Sequence, residues 1–299
     1  MPDRPTSVLR SPLLWILSAA MAVASFYFQN RTGPTYPLRG TVETERGPVA
    51  FTFLRSEEIG TGLQIMLKEP VPAGLAGSVK WRRYKSNDSW AQTPMAAGSF
   101  RFTRRGDAEE IRGLGVVLPS LPERAGKYEY FVFIDDGTGP RSVTGEKPIF
   151  ARYKAPVPRT VLLPHILAIF LSMTLALRTG FQALSGRPLK GLLWATIGSL
   201  LAGAFVLGPI VQHYAFGVWW SGVPFGYDWT DNKVLVELAA WVVAAAMLGK
   251  PHRARAAVLI ATLVTLAIYL IPHSVFGSEY DYTKGSGHGT AGAVAPRTP

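Results

Sequence analysis

Apolar and polar positions divide the chain into two textures. Long apolar runs occupy 13–28, 161–177, 192–211, 234–248 and 256–271, whereas 31–159 is charged and rich in turn residues. Spanning about 30 Å of hydrocarbon takes roughly 20 apolar helical residues at about 1.5 Å each. The runs therefore predict five membrane helices. The last two are short by a few residues and need flanking residues to reach the interface.

The polar segment has the other period. Stretches 49–54, 63–67, 78–84, 99–103 and 127–134 alternate, and turn signals such as Ser86-Asn-Asp88, Arg105-Gly-Asp107 and Asp135-Asp-Gly137 separate them. Short strands at this spacing predict an antiparallel sandwich. The expected fold class is thus a membrane α-helical bundle, with four helices plus an N-terminal anchor helix, carrying an extracytoplasmic all-β sandwich. The expected divisions are an anchor at 1–30, a sandwich at 31–158, a four-helix bundle at 159–275 and a flexible extracytoplasmic tail at 276–299. Arg4, Arg10 and Ala22-Val-Ala24 also fit a signal peptide. The apolar character continues through Phe26-Tyr-Phe28, which favours an uncleaved anchor, and both alternatives leave the sandwich outside.

Charge sets direction. Arg178, Arg187 and Lys190 lie between the second and third runs, and Lys250, Arg253 and Arg255 between the fourth and fifth. Both loops are expected in the cytoplasm. Segment 212–232 has no Lys or Arg and holds Asp228 and Asp231, so it is expected outside. A bacterial inner membrane, with the sandwich and C-terminus extracytoplasmic, fits this pattern. The net charge of +11 could also mean nucleic acid. However, 31–159 holds 20 Lys/Arg against 14 Asp/Glu, and most remaining basic residues flank apolar runs. That is a topology signal, and membrane lipids rather than nucleic acid are the expected contact. The absence of cysteine excludes disulfides and thiolate-held metals.

Two resemblances follow. Val79-Lys-Trp81 on a middle strand and Tyr128, Tyr130, Val132 and Ile134 on a late strand ending at an Asp-Gly turn resemble immunoglobulin or fibronectin type III sandwiches. That likeness implies a binding or spacing module. The stretches GPIVQHYAFGVWW, PFGYDWTDNK and IPHSVFGSEYDY resemble uncharacterised bacterial multi-pass inner-membrane proteins, which implies no activity.

The predicted topology gathers chemistry on one face. His165, His213 and His273 fall at outward helix ends, and Asp228, Asp231, Glu237, Glu279 and Asp281 share that side. Seven of the 16 residues in 214–229 are aromatic, Trp219 and Trp220 among them. Lys233 and Glu237 are four apart on one helix face, and an ionisable residue at such depth defaults to a functional site. The expected function is an outer-face site, between the β-domain and the helix ends, that binds a cofactor, ligand or partner protein. Asp228, Asp231, Lys233, Glu237, Trp219, Trp220 and Glu279 are its candidate residues. A membrane or periplasmic protein is the expected partner. One alternative is a cytochrome-like carrier, with haem or a transition metal held by two of His165, His213 and His273. Another is a membrane enzyme acting on lipid-linked or envelope substrates. No catalytic motif supports the latter, so the chain reads as a binding protein before an enzyme.

Overall fold

A computed structural model describes residues 10–104, 107–272 and 275–288. The chain divides into two compact units.

The helical unit holds α1 (Arg10–Thr32), α2 (Arg159–Leu184), α3 (Lys190–Phe216), α4 (Trp229–Ala246) and α5 (Pro251–Leu270). Residues Pro12–Thr32 of α1, and α2, α3 and α5, are long and apolar enough to cross a membrane. The fourth expected run also forms a helix, but α4 has only 18 residues and carries Asp231, Lys233 and Glu237. It is not among those four. Leu163, Leu167 and Leu171 on α2, and Ile260 and Leu263 on α5, are at least half exposed. In water such apolar faces would be costly; against lipid tails they are the natural surface. Within the bundle, Ala176, Leu193, Leu200, Trp241, Ala244, Val258 and Ala261 form one apolar cluster. The axes approach closely where small residues meet. A methyl built on Gly180 of α2 would lie 2.7 Å from Thr262 Cγ2 of α5, the small-residue contact common between membrane helices.

Helix α3 is not uniform. Residues Leu201–Leu207 wind as a π-helix, and Gly208 N–H donates to Gly203 O five residues back. Such bulges are rare and often mark functional sites.

The second unit is two antiparallel sheets around one core. One sheet runs β1 (Leu38–Val42), β2 (Val49–Phe53), β4 (Leu63–Lys68), β8 (Asp107–Leu118) and β7 (Ala96–Arg104). The other runs β3 (Ser56–Glu58), β11 (Ile149–Lys154), β9 (Lys127–Asp135), β5 (Ala76–Arg83) and β6 (Ala91–Pro94), with β10 (Arg141–Ser142) on β9. Only β3 and β11 pair in parallel among these strands. The strand read from Tyr128, Tyr130, Val132 and Ile134 is β9, and all four side chains are buried. They meet Phe53, Leu63, Ile65 and Leu67 of the opposite sheet. Each large apolar side chain so buried contributes about 1.5–3 kcal/mol, and this core takes the place of disulfides. Trp81 stands edge-on to Tyr128 at 5.2 Å and donates from Nε1 to Thr93 Oγ1 at 3.0 Å. At Gly113 a β-carbon would sit 2.1 Å from Leu67 O, so only glycine lets β8 approach β4 there.

Residues 278–288 belong to this second unit. Composition assigns them to a flexible tail, but β12 (Glu279–Asp281) and β13 (Ser286–His288) form a hairpin against the sandwich. Tyr280 N–H donates to Ala125 O at 3.0 Å. The Tyr282 hydroxyl donates to Glu123 Oε2 at 3.1 Å, under the Arg83 guanidinium. Glycine-rich flanks conceal the two tyrosines and the carboxylate that dock it.

Candidate functional site

The most unusual chemistry of the helical unit lies between α4 and α5. Lys233, Glu237 and Trp241 are four apart in turn, and this spacing stacks them on one helix face. All three are buried, with Glu237 and Trp241 fully enclosed. On α5, Thr265 and Tyr269 are again four apart, and both are buried. Thr265 Oγ1 donates to Glu237 Oε1 at 3.0 Å and accepts from Trp241 Nε1 at 3.0 Å. Lys233 Nζ donates to Ile271 O at 3.1 Å, a carbonyl just past the end of α5, where a cation opposes the helix dipole. Gln29 Nε2 of α1 donates to the same oxygen at 3.0 Å.

Among the described residues, two polar atoms in this cluster have no hydrogen-bond partner: Glu237 Oε2 and the Tyr269 hydroxyl. Buried polar groups are normally satisfied, and exceptions call for a reason. Among the described residues, Lys233 and Tyr269 are the titratable groups that interact with Glu237. Asp228 acts on Lys233 in turn.

The acidic residues nearer the start of α4 have a different task. Asp228 caps the helix, accepting from Thr230 N–H at 2.8 Å. Asp231 Oδ2 accepts from Ser221 N–H at 2.7 Å, Ser221 Oγ at 3.0 Å and Gln212 Nε2 at 3.0 Å. Asn232 Oδ1 accepts from Val223 N–H at 2.8 Å. These side chains pin the aromatic loop to the helix. Trp220 stacks on Phe205 and donates to Val223 O, while Trp219, Phe225, Tyr227 and Trp229 stay exposed. Ser221 is buried and Trp220 is partly covered against Phe205.

The histidines are placed separately. Helix α2 begins at Arg159, so His165 lies in its second turn. His165 Nδ1 donates to Gly203 O at 3.0 Å, the carbonyl that the π segment turns on. His213 stacks on Trp219, with centroids 4.2 Å apart and planes 9° apart. His273 lies outside the described residues. Among the described residues no group of three or more His, Asp or Glu could hold a metal ion.

Glu279 stands in the sandwich unit, where Lys85 Nζ and Lys127 Nζ both donate to it, the latter at 2.9 Å. Burial works to raise its carboxyl pKa. The two lysine hydrogen bonds outweigh burial and hold it below the ordinary value. Lys85 and Ala125 are the only non-glycine residues with positive φ among the described residues, at 55° and 61°. Lys85 pairs with the hairpin, and Ala125 accepts from it. Such strained backbone persists where the surroundings hold it.

Sequence reasoning had named Lys233, Glu237, Asp228 and Asp231 as candidates. It missed Thr265, Tyr269 and Trp241, whose only signal is a four-residue spacing inside apolar runs. Comparison with protein-family models, curated proteins and solved structures gave no match.

Proposed function

We propose that this chain is a multi-pass inner-membrane protein whose helical unit carries a protonatable binding site centred on Glu237. The observation behind this reading is the wholly buried carboxyl with one oxygen unpartnered. An isolated carboxylate in a low-dielectric interior costs several kcal/mol, and such a group neutralises unless a charge partner reaches it. Lys233 is one turn away, but its ammonium bonds Ile271 O, and among the described residues no ion pair joins it to Glu237. Glu237 therefore rests as the acid and ionises when its surroundings change. Asp228, Asp231, Trp219 and Trp220 frame the approach to the site rather than perform its chemistry. The Lys/Arg bias of the loops supports an extracytoplasmic sandwich, which serves as a docking module for a membrane or periplasmic partner.

A hydrophobic carbodiimide tests this, because such reagents activate protonated carboxylic acids that are out of water. In native membranes it should modify Glu237, with yield falling as pH rises. Glu237→Gln should abolish the adduct at that peptide. An unmodified Glu237 alongside labelled surface carboxyls would contradict the reading.

A second reading concerns His165. Its Nδ1–H bond to a backbone carbonyl leaves Nε2 as the acceptor nitrogen, the arrangement typical of metal-bound histidine. With His213 or His273 it would hold haem or a transition metal. Absorption spectra and metal analysis of purified protein decide this reading: a colourless, metal-free preparation rejects it.

A further inference from the structure

The C-terminal hairpin constrains the membrane topology. It is docked on the sandwich by Glu279, Tyr280 and Tyr282, so residues 279–288 and the sandwich occupy the same side of the membrane. The chain between Lys154 at the end of β11 and Glu279 must then cross an even number of times. Helices α2, α3 and α5 are three apolar spans. Three crossings would leave the hairpin on the wrong side, so a fourth is needed, and among the described residues α4 is the one remaining helix of that stretch.

The surface of α4 supports this independently. Its charged residues, Asp231, Lys233 and Glu237, are all buried, whereas Val236, Val242 and Val243 are more than half exposed. A soluble helix shows the reverse arrangement. Its average polarity comes from residues that face protein, so hydropathy alone undervalues it. At about 1.5 Å per residue, its 18 residues reach about 27 Å, close to the hydrocarbon thickness.

We infer that α4 crosses the bilayer and sets Glu237 near the mid-membrane plane as a proton site that opens toward the sandwich's side. Glu237 is the ninth of the 18 residues of α4. Counting crossings from the sandwich puts the α3–α4 loop, the start of α4 and the end of α5 on the sandwich's side. Lys233 and Asp228 lie between that face and Glu237, and they supply the polar route. Beyond Glu237 the buried positions of α4 are Trp241 and Ala244, which provide no ionisable group. Protons therefore exchange between Glu237 and the water of the sandwich's side. This inference rests on the reading of Glu237 as protonatable.

The chain's lack of cysteine allows a direct test. Ser89→Cys in the sandwich, Ser185→Cys after α2, Gly249→Cys after α4 and Ser286→Cys in the hairpin are made singly in the full chain. Each is probed with a membrane-impermeant maleimide in sealed vesicles of known orientation. Ser89→Cys and Ser286→Cys should label from one side, and Ser185→Cys and Gly249→Cys from the other. Labelling of Gly249→Cys together with Ser89→Cys, or of Ser286→Cys opposite to it, overturns the crossing. In the same vesicles, the carbodiimide yield at Glu237 should follow the pH on the sandwich's side alone. A yield that follows the other side overturns the access route. Absence of any adduct at every pH refutes the proton site itself, while the maleimide pattern still decides the crossing.

Discussion

Trp241 and Glu237 share one hydroxyl: Thr265 Oγ1 accepts from the indole and donates to the carboxyl, each bond 3.0 Å long. All three residues are fully buried. Thr265→Val keeps the shape and removes both bonds. Leaving a buried polar group unpaired costs about 1–3 kcal/mol for each group. Thermal unfolding in detergent should show that loss, whereas Thr265→Ser should lose far less. Combining Thr265→Val with Glu237→Leu should recover part of the stability, because one orphaned group goes with its partner. Additive losses in that double variant would argue against the bond.

Asp231 accepts three of the aromatic loop's tethering hydrogen bonds on a single oxygen. Asp231→Ala orphans the buried Ser221 N–H and leaves Gln212 bonded to Ser221 Oγ alone, a loss of about 1–3 kcal/mol. Trp219 and Trp220 should then show red-shifted fluorescence as the loop leaves the bundle. Asp231→Asn keeps a carbonyl acceptor and should fall between wild type and alanine. An unchanged spectrum in Asp231→Ala would show that the loop is held by other contacts.

The hairpin clamp should be acid-labile. The Glu279 carboxyl is held below its ordinary value in the folded protein. Its stabilisation is therefore complete above the ordinary carboxylate pKa and lost as pH falls through the lower, folded value. Protease cleavage within 272–288 of the membrane-inserted protein should accelerate in that acid range. Glu279→Gln should be cleaved faster at neutral pH and show much less acid dependence. Identical cleavage profiles for the two proteins would remove the clamp.

Much of this architecture was legible because period carries burial. Alternation exposed β9 and its buried Tyr128, Tyr130, Val132 and Ile134, and apolar length exposed α2, α3 and α5. Glu237 stood out because charge is rare inside an apolar run, and Lys233 because it sits four residues earlier on the same helix face. The hidden parts depend on partners distant in sequence. Thr265 reads as one small residue among apolar neighbours until Glu237, 28 positions earlier, is set against it. The π segment of α3 has no compositional mark, and its role appears only when His165 of α2 meets Gly203 O. Glu279 was placed by its charge alone. Its partners are Lys85 and Lys127, 194 and 152 residues earlier, and no local pattern could name them.

The central claim is that Glu237 is a protonated acid inside the helical unit. Infrared difference spectra of the membrane-reconstituted protein, recorded between neutral and alkaline pH, test it most directly. The account predicts a carbonyl-stretch band of a non-aqueous carboxylic acid at neutral pH, bleached on alkalinisation and absent from Glu237→Gln. A wild-type spectrum without that band, or one that Glu237→Gln leaves unchanged, would contradict it.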